Sequence, residues 1–280
     1  MNKKNGPEPS EAIVLRSIRH GETSRIVTLF DREHGKYAVI AKGARRSKGS
    51  GNSGTLEPPS LIEAQVYFKK TRSVQTLGHV TLIDGYRAIK SDLSVTAYAS
   101  VVLQYLYRSF TDGDANEIAF LNAIRALSNF EHAQNPSETI ASNIMQDRIS
   151  ERLRLILGSF QLELIEALGF GISLLECPVC HKSDPDIGHY NLLVFDSGGI
   201  CCTSCKPSGN QAQPLTGETV RILRRLSSNG VSGIKNLRVS KAARDELINI
   251  LGKYLKYHHH SLGDLTSLAM LDKLENPVII

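Results

Sequence analysis

Glu11-Ala12-Ile13-Val14-Leu15-Arg16-Ser17-Ile18 and Ser24-Arg25-Ile26-Val27-Thr28-Leu29-Phe30, joined by the polar turn His20-Gly21-Glu22-Thr23, decide the fold. Both runs are apolar and rich in β-branched residues, which suit a pleated surface packed on one side, so they read as two consecutive strands. His34-Gly35 marks a short connection into Lys36-Tyr37-Ala38-Val39-Ile40-Ala41, a third strand. Residues 43–60 follow, with Gly43, Gly49, Gly51 and Gly54, Ser47, Ser50 and Ser53, and the pair Pro58-Pro59; this composition predicts a long mobile loop. Leu61-Ile62-Glu63-Ala64-Gln65-Val66-Tyr67-Phe68 and residues 73–86 resume the strand pattern. Five strands without a helix long enough to force a parallel sheet predict a small antiparallel barrel of the OB type, because closure removes exposed strand edges.

From Ile89 the apolar period lengthens. Leu93, Ala97, Val101, Leu103, Leu106 and Phe110 fit helical spacing, and Ile118, Leu121, Ile124 and Leu127 repeat it after the turn Asp112-Gly113-Asp114. A third helix is expected over 139–168, with an apolar stripe through Ile149, Leu153, Ile156, Leu157, Phe160, Leu164, Ile165 and Leu168 that ends at Gly169. Further helices are expected over 215–226 and 240–257, the latter capped by Ser240 with Leu247, Ile250, Leu251 and Leu255 inward. The fold class is therefore α+β: an N-terminal OB-fold barrel followed by an all-helical domain that carries an inserted four-cysteine segment. The expected boundaries are a flexible leader over 1–10, the barrel over 11–86, helices over 87–170, the cysteine insertion over 171–212 and further helices over 213–280.

The insertion holds Cys177-Pro178-Val179-Cys180 and Cys202-Thr203-Ser204-Cys205, two Cys-x-x-Cys knuckles separated by 21 residues. Each knuckle is a tight turn presenting two thiolates, and two knuckles complete the tetrahedral sulfur shell that zinc prefers. Between them, the runs 190–195 and 198–200 read as a hairpin returning the second knuckle to the first. Such a closed shell leaves no position for water or substrate, so one structural Zn2+ is expected. Disulfides, redox-active pairs or a cluster that has lost its metal compete with this reading. Cys201 lacks the two-residue gap to Cys205 and reads as a buried or free thiol, while His181 and His189 read as surface residues.

Charge is unevenly distributed. Residues 1–80 contain 14 Lys/Arg against 7 Asp/Glu, whereas the remaining 200 contain 19 against 21. The basic end includes Lys42-Gly43-Ala44-Arg45-Arg46-Ser47-Lys48, four cations in seven residues. Lys42, Arg45, Arg46 and Lys48 on a loop beside a barrel suit a phosphate backbone, whose released counterions drive binding. Arg25, Lys69, Lys70 and Arg72 are candidates to extend the patch, and alternation along the fourth strand turns Tyr67 outward as a candidate for base stacking. The competing readings are a merely soluble basic barrel and an ordinary exposed tyrosine.

Among functional classes, the sequence lacks a P-loop, a nucleophile elbow and a zincin helix, so no catalytic residues are assigned. His258-His259-His260 read as exposed residues near a helix end. Without a long apolar run or a signal peptide, and with an odd cysteine count, the chain reads as a soluble cytoplasmic protein.

The combination resembles the RecO family of bacterial recombination mediators. The matching residues are 11–16, 21–30, the basic stretch 42–48, residues 164–170 leading into the knuckles, and the series Phe195, Gly198-Gly199, Cys202 and Cys205. The resemblance covers about residues 11–260, and the stretch after Tyr257 departs from it. It implies binding to single- and double-stranded DNA, annealing of complementary strands, and help in loading a recombinase onto DNA coated by the single-strand-binding protein SSB (RecF pathway). It also implies RecR and the C-terminal tail of SSB as partners, a nucleoid-associated location in a bacterial cytoplasm, and a tail pocket in the helical domain, for which Arg152 and Arg154 are chemically suitable. A zinc-containing RNA-binding or transcription-associated module has the same charge and cysteine features and stands as the alternative, and a hydrolase with an unrecognised site is a third.

Overall fold

The computed structural model describes residues 8–44, 52–133, 142–183, 191–205, 212–234 and 237–275. Five strands, β1 (Glu8–His20), β2 (Ser24–Asp31), β3 (Gly35–Ala41), β4 (Leu61–Tyr67) and β5 (Val74–Asp84), close a barrel in the order β1-β2-β3-β5-β4. Neighbours are antiparallel except β3 and β5, which run parallel from Ala38 opposite Val74 to Ile40 opposite Thr76. β1 serves two partners: its first half pairs with β4 and its second with β2, with a register shift between Val14 and Arg16 that bends the strand at the changeover.

Alternate residues fill the interior, among them Ala12, Val14, Val27, Leu29, Val39, Ile62, Ala64 and Val66. Ile13 and Phe30 point the other way and are equally buried, because the rings of Phe110 and Phe120 cover Phe30 from outside at 5.0 and 6.4 Å. Residues 12–15 therefore read as a continuous apolar run in place of a strict alternation. The strand also begins at Glu8, inside the expected leader. Residues 8–10 pair with 64–66 of β4, and the Ser10 hydroxyl donates to the buried Asp31 carboxylate, which also accepts from Tyr37 Oη at 2.9 Å. Backbone pairing and a buried polar network, neither of which leaves an apolar pattern, hold this segment.

A short helix α1 (Asn52–Thr55) lies in the β3–β4 connection, and α2 (Arg87–Ser91), α3 (Leu93–Ser109) and α4 (Glu117–Glu131) follow the barrel. Asp92 and Asn116 cap α3 and α4 by accepting from Val95 N and Ala119 N, each at 2.9 Å. The expected helix around 118–127 is present, but its buried face is Ala119, Phe120, Ala123, Ala126, Leu127 and Phe130, leaving Ile118 64% and Leu121 43% exposed. The two large rings, Phe120 and Phe130, select the inward face against the aliphatic spacing.

The chain divides into two compact units, Met1–His132 with Leu265–Ile280, and Ala133–Asp264. The first unit thus includes the last helix, α8 (Thr266–Glu275), whose Ser267 N donates to Gln104 Oε1 of α3 at 2.9 Å. The second unit contains α5 (Ser142–Ala167), the strands β6 (Asn191–Val194), β7 (Gly199–Cys201) and β8 (Ala212–Leu215) in the order β7-β6-β8, and α6 (Gly217–Asn229) and α7 (Lys241–His258). The anticipated hairpin is β6–β7; β8 is a third strand where a helix start is expected, and Thr216 caps α6 just beyond it. Residues 153–162 of α5 are buried on every side, as befits a helix inside its unit. A Cβ at Gly158 would lie 2.7 Å from Leu247 Cδ2, so the glycine sets a close crossing of α5 and α7.

Candidate metal centre and nucleic-acid interface

The first knuckle is closed by His181 N donating to Cys177 O at 2.9 Å and Cys177 N donating to Lys182 O at 3.0 Å. The second is closed by Cys205 N donating to Cys202 O at 3.1 Å. The β6–β7 hairpin carries the second knuckle back to the first, and the sulfur atoms of Cys177, Cys180, Cys202 and Cys205 all lie within 4.8 Å of one another. Cys180 Sγ and Cys202 Sγ are 3.8 Å apart, far beyond a disulfide bond of about 2.05 Å. The same separation matches the edge of a tetrahedron, about 3.8 Å, built on metal–sulfur bonds of roughly 2.3 Å. Four thiols gathered in this way could hold one metal ion.

The electrostatics fit that chemistry. Burial opposes ionisation of Cys177, yet the amides of Cys202, Cys180 and Val179 and the Cys180 side chain overcome it and draw its pKa down to about 6. Cys205 goes the other way: hydrogen bonds involving Cys180 and Cys202, with their negative charge, push its pKa up to about 12. Four like charges at this spacing repel, so full ionisation calls for a divalent cation at their centre. Cys201 is buried in β7 with its pKa raised to about 11 by burial and by Cys177, in keeping with a protonated core thiol. His181 is exposed and is not one of the clustered ligands; His189 lies outside the described residues.

The His258-His259-His260 run is only partly exposed. His258 stacks on Phe170 with ring centroids 4.9 Å apart, and its Nε2 donates to Phe195 O at 3.1 Å. Tyr254 Oη donates to Phe170 O at 3.0 Å. The end of α7 thereby packs on the β6–β7 turn and on the segment that follows α5, a packing role that the polar sequence conceals.

On the barrel, Lys42 is exposed at the end of β3, whereas Arg45, Arg46 and Lys48 lie outside the described residues. Arg25 is mostly buried and committed to an ion pair with Glu57 at 2.7 Å, with Ser17 Oγ accepting a second hydrogen bond at 3.0 Å, so its charge is largely spent within the protein. Tyr67 stands outward, 41% exposed. Lys69, Lys70 and Arg72 are all exposed on the turn between β4 and β5. No motif marks Gln75, yet its buried amide bonds this turn three times: it accepts from Lys69 N at 2.7 Å and donates to Arg72 O at 2.6 Å and to Lys69 O at 3.3 Å. A polar residue in an otherwise apolar strand position just after a cationic turn is the only signal that marks it. In the second unit Arg152 is exposed, while Arg154 is buried and paired with Asp245 of α7, within the α5–α7 packing.

A closed five-stranded barrel of the OB type with helices in its own unit, and a second, helical unit carrying four cysteines that could hold a metal ion, define the class of two-unit protein to which this chain belongs. The family model described as recombination protein O N terminal matches residues 8–86, and that described as recombination protein O C terminal matches residues 90–267. The chain belongs to the RecO family. It is similar to the DNA repair protein RecO of Bacillus subtilis, with 28% identity over 95% of this chain and 94% of the relative. It is equally similar, at 28% and the same coverage, to that of Salinibacter ruber, and at 27% over 89% of this chain and 91% of the relative to that of a Thermoanaerobacter species. Among the described residues, no helix is long and apolar enough to cross a membrane.

Proposed function

We propose that this chain acts in DNA repair and homologous recombination by binding single- and double-stranded DNA, annealing complementary strands without nucleotide hydrolysis, and assisting recombinase loading onto SSB-coated DNA. The observation that carries the reading is an OB-type barrel bearing the exposed cations Lys42, Lys69, Lys70 and Arg72 at strand ends. Capture of two strands on one cationic surface lowers their mutual repulsion, which is the main barrier to pairing at low salt. Arg45, Arg46 and Lys48 would add to that surface. In this reading the four cysteines hold one zinc ion that braces the second unit and takes no part in chemistry. RecR and the acidic, apolar C-terminal tail of SSB are its protein partners, and Arg152 is the exposed arginine of the two first considered for the tail.

The test is fluorescence-monitored annealing of two complementary oligonucleotides, free and SSB-coated, with an RNA pair run in parallel. Acceleration of DNA annealing that persists on coated strands is expected. Absence of any acceleration overturns the proposal, and a preference for RNA would transfer it to the RNA-binding alternative.

A further inference from the structure

We infer that the β4–β5 turn is a preformed clamp for an unpaired nucleotide, in which Tyr67 receives the base, Lys69, Lys70 and Arg72 receive the flanking phosphates, and Gln75 is the positioning residue. The inference rests on the DNA-binding reading and says which part of the barrel tells single strands from duplex.

Three observations support it. Lys69 to Arg72 is a closed β-turn, with Arg72 N donating to Lys69 O at 3.1 Å. The Gln75 amide, only 8% exposed, uses both of its ends on the same turn, through the three hydrogen bonds described above. A buried amide leaves its partners unsatisfied if it moves, so the turn is held in one shape. The side chains on it remain exposed while its backbone is fixed.

The third observation is Gly78, on β5 beside the end of β4. A Cβ there would stand 3.0 Å from Tyr67 Cε2 and 3.1 Å from Gln65 O. The absence of a side chain lets the Tyr67 ring lie against the β5 backbone with its exposed part toward solvent. The exposed Tyr67 ring comes two residues before the first cation of the fixed turn, and an aromatic ring beside cations offers the groups that a base and its phosphates call for. Stacking on that face requires a base free of its partner, so the class of ligand is single-stranded nucleic acid.

The experiment measures binding of the full chain to labelled oligo-dT and to a duplex of equal length by fluorescence anisotropy across a salt series, with thermal melts for each variant. Gln75→Ala leaves the charge unchanged, yet oligo-dT binding is expected to weaken by roughly fivefold while duplex binding stays near wild type. Tyr67→Ala is expected to weaken oligo-dT alone by about tenfold. Substituting Lys69, Lys70 and Arg72 together by Ala should flatten the oligo-dT salt slope by about 2, at roughly 0.7 per phosphate contact. Should Gln75→Ala fail to fold, the exposed triple variant decides. Wild-type behaviour of the triple variant, or equal losses for both ligands with Gln75→Ala, overturns the clamp. Failure of the wild-type chain to bind either ligand overturns the DNA-binding reading instead.

Discussion

The barrel and the cysteine module are both built from short strands, but they hold their shape by different means. The barrel closes on itself over a core that includes Val27, Leu29, Val39, Ile62, Ala64 and Val66, all buried. In and beside the module's three-stranded sheet Leu193, Phe195 and Ile200 are also buried, but among the described residues the cluster around the cysteines buries only Cys177, Val194 and Cys201, with Cys202, Cys205 and Ala212 packed against them. Apolar burial at about 25 cal/mol per Å2 sustains the former, whereas around the cysteines of the latter the apolar cluster is small. The difference teaches that the barrel rests on an apolar core of its own, whereas the cysteine end is organised around four thiols that could hold one metal ion.

The largest expected effect separates the two directly. Structural zinc in small cysteine sites contributes roughly 10 to 16 kcal/mol of apparent binding free energy at neutral pH, and where such a site is filled that energy is folding energy. Freshly purified protein should contain one zinc per chain. Its removal by chelator, or Cys177→Ser, should abolish hydrogen-exchange protection at Leu193 and Ile200 while Val27 and Leu29 stay protected. Metal-free protein that keeps protection at Leu193 and Ile200 would break the distinction.

A smaller effect probes the barrel side. Gly35 adopts φ +67°, and a Cβ on it would fall 2.0 Å from Asp114 O, in the turn between α3 and α4. Gly113 N donates to Lys36 O at 2.8 Å beside it, so the β2–β3 turn and the helical turn are pressed backbone to backbone. Both the positive φ and the collision disfavour a side chain, and Gly35→Ala should cost about 3 kcal/mol or more. At roughly 2 to 4 °C per kcal/mol for a unit of this size, melting of the first unit should fall by about 10 °C with zinc content unchanged. A wild-type melting curve would mean that the two turns part easily.

The same contrast explains what the sequence disclosed. Barrel strands advertise themselves through alternation, as in β4, where Glu63, Gln65 and Tyr67 face outward and Ile62, Ala64 and Val66 inward. The four-cysteine cluster is legible because its members are set by local spacing within each knuckle. Contacts made across long separations leave no such trace. Nothing near Ser10 announces Asp31, and nothing near Arg25 announces Glu57, because an ion pair or buried hydrogen bond needs only one residue at each end. The inward face of α4 departs from its aliphatic spacing because ring size points to a different side, and packing volume prevails. Gln75 falls in this class: its partners are backbone groups, which any sequence supplies.

The smallest effect sharpens the comparison inside the second unit, away from the four cysteines. α6 and α7 hold each other's starts: Glu218 of α6 accepts from Ser240 N at 2.8 Å and Ser240 Oγ at 2.7 Å, and Glu246 of α7 accepts from Thr216 N at 3.1 Å and Thr216 Oγ1 at 2.7 Å. The Ser240 amide, then its hydroxyl, holds the Glu218 carboxyl below its ordinary pKa of 4.5, with Arg221 assisting. A carboxyl whose folded pKa is depressed stabilises fully above its unfolded value and loses that contribution as pH falls through the folded value. Glu218→Gln should therefore be less stable than wild type by about 1 kcal/mol at pH 7, the size of one charge-assisted cap. The difference should shrink below pH 4.5 and vanish once the carboxyl is protonated in the folded chain. Denaturant melts of both proteins at several pH values measure that difference directly, and the shared titration of every other carboxylate cancels between them. A gap that stays constant down to strongly acidic pH would show that Glu218 acts through shape alone, without its charge.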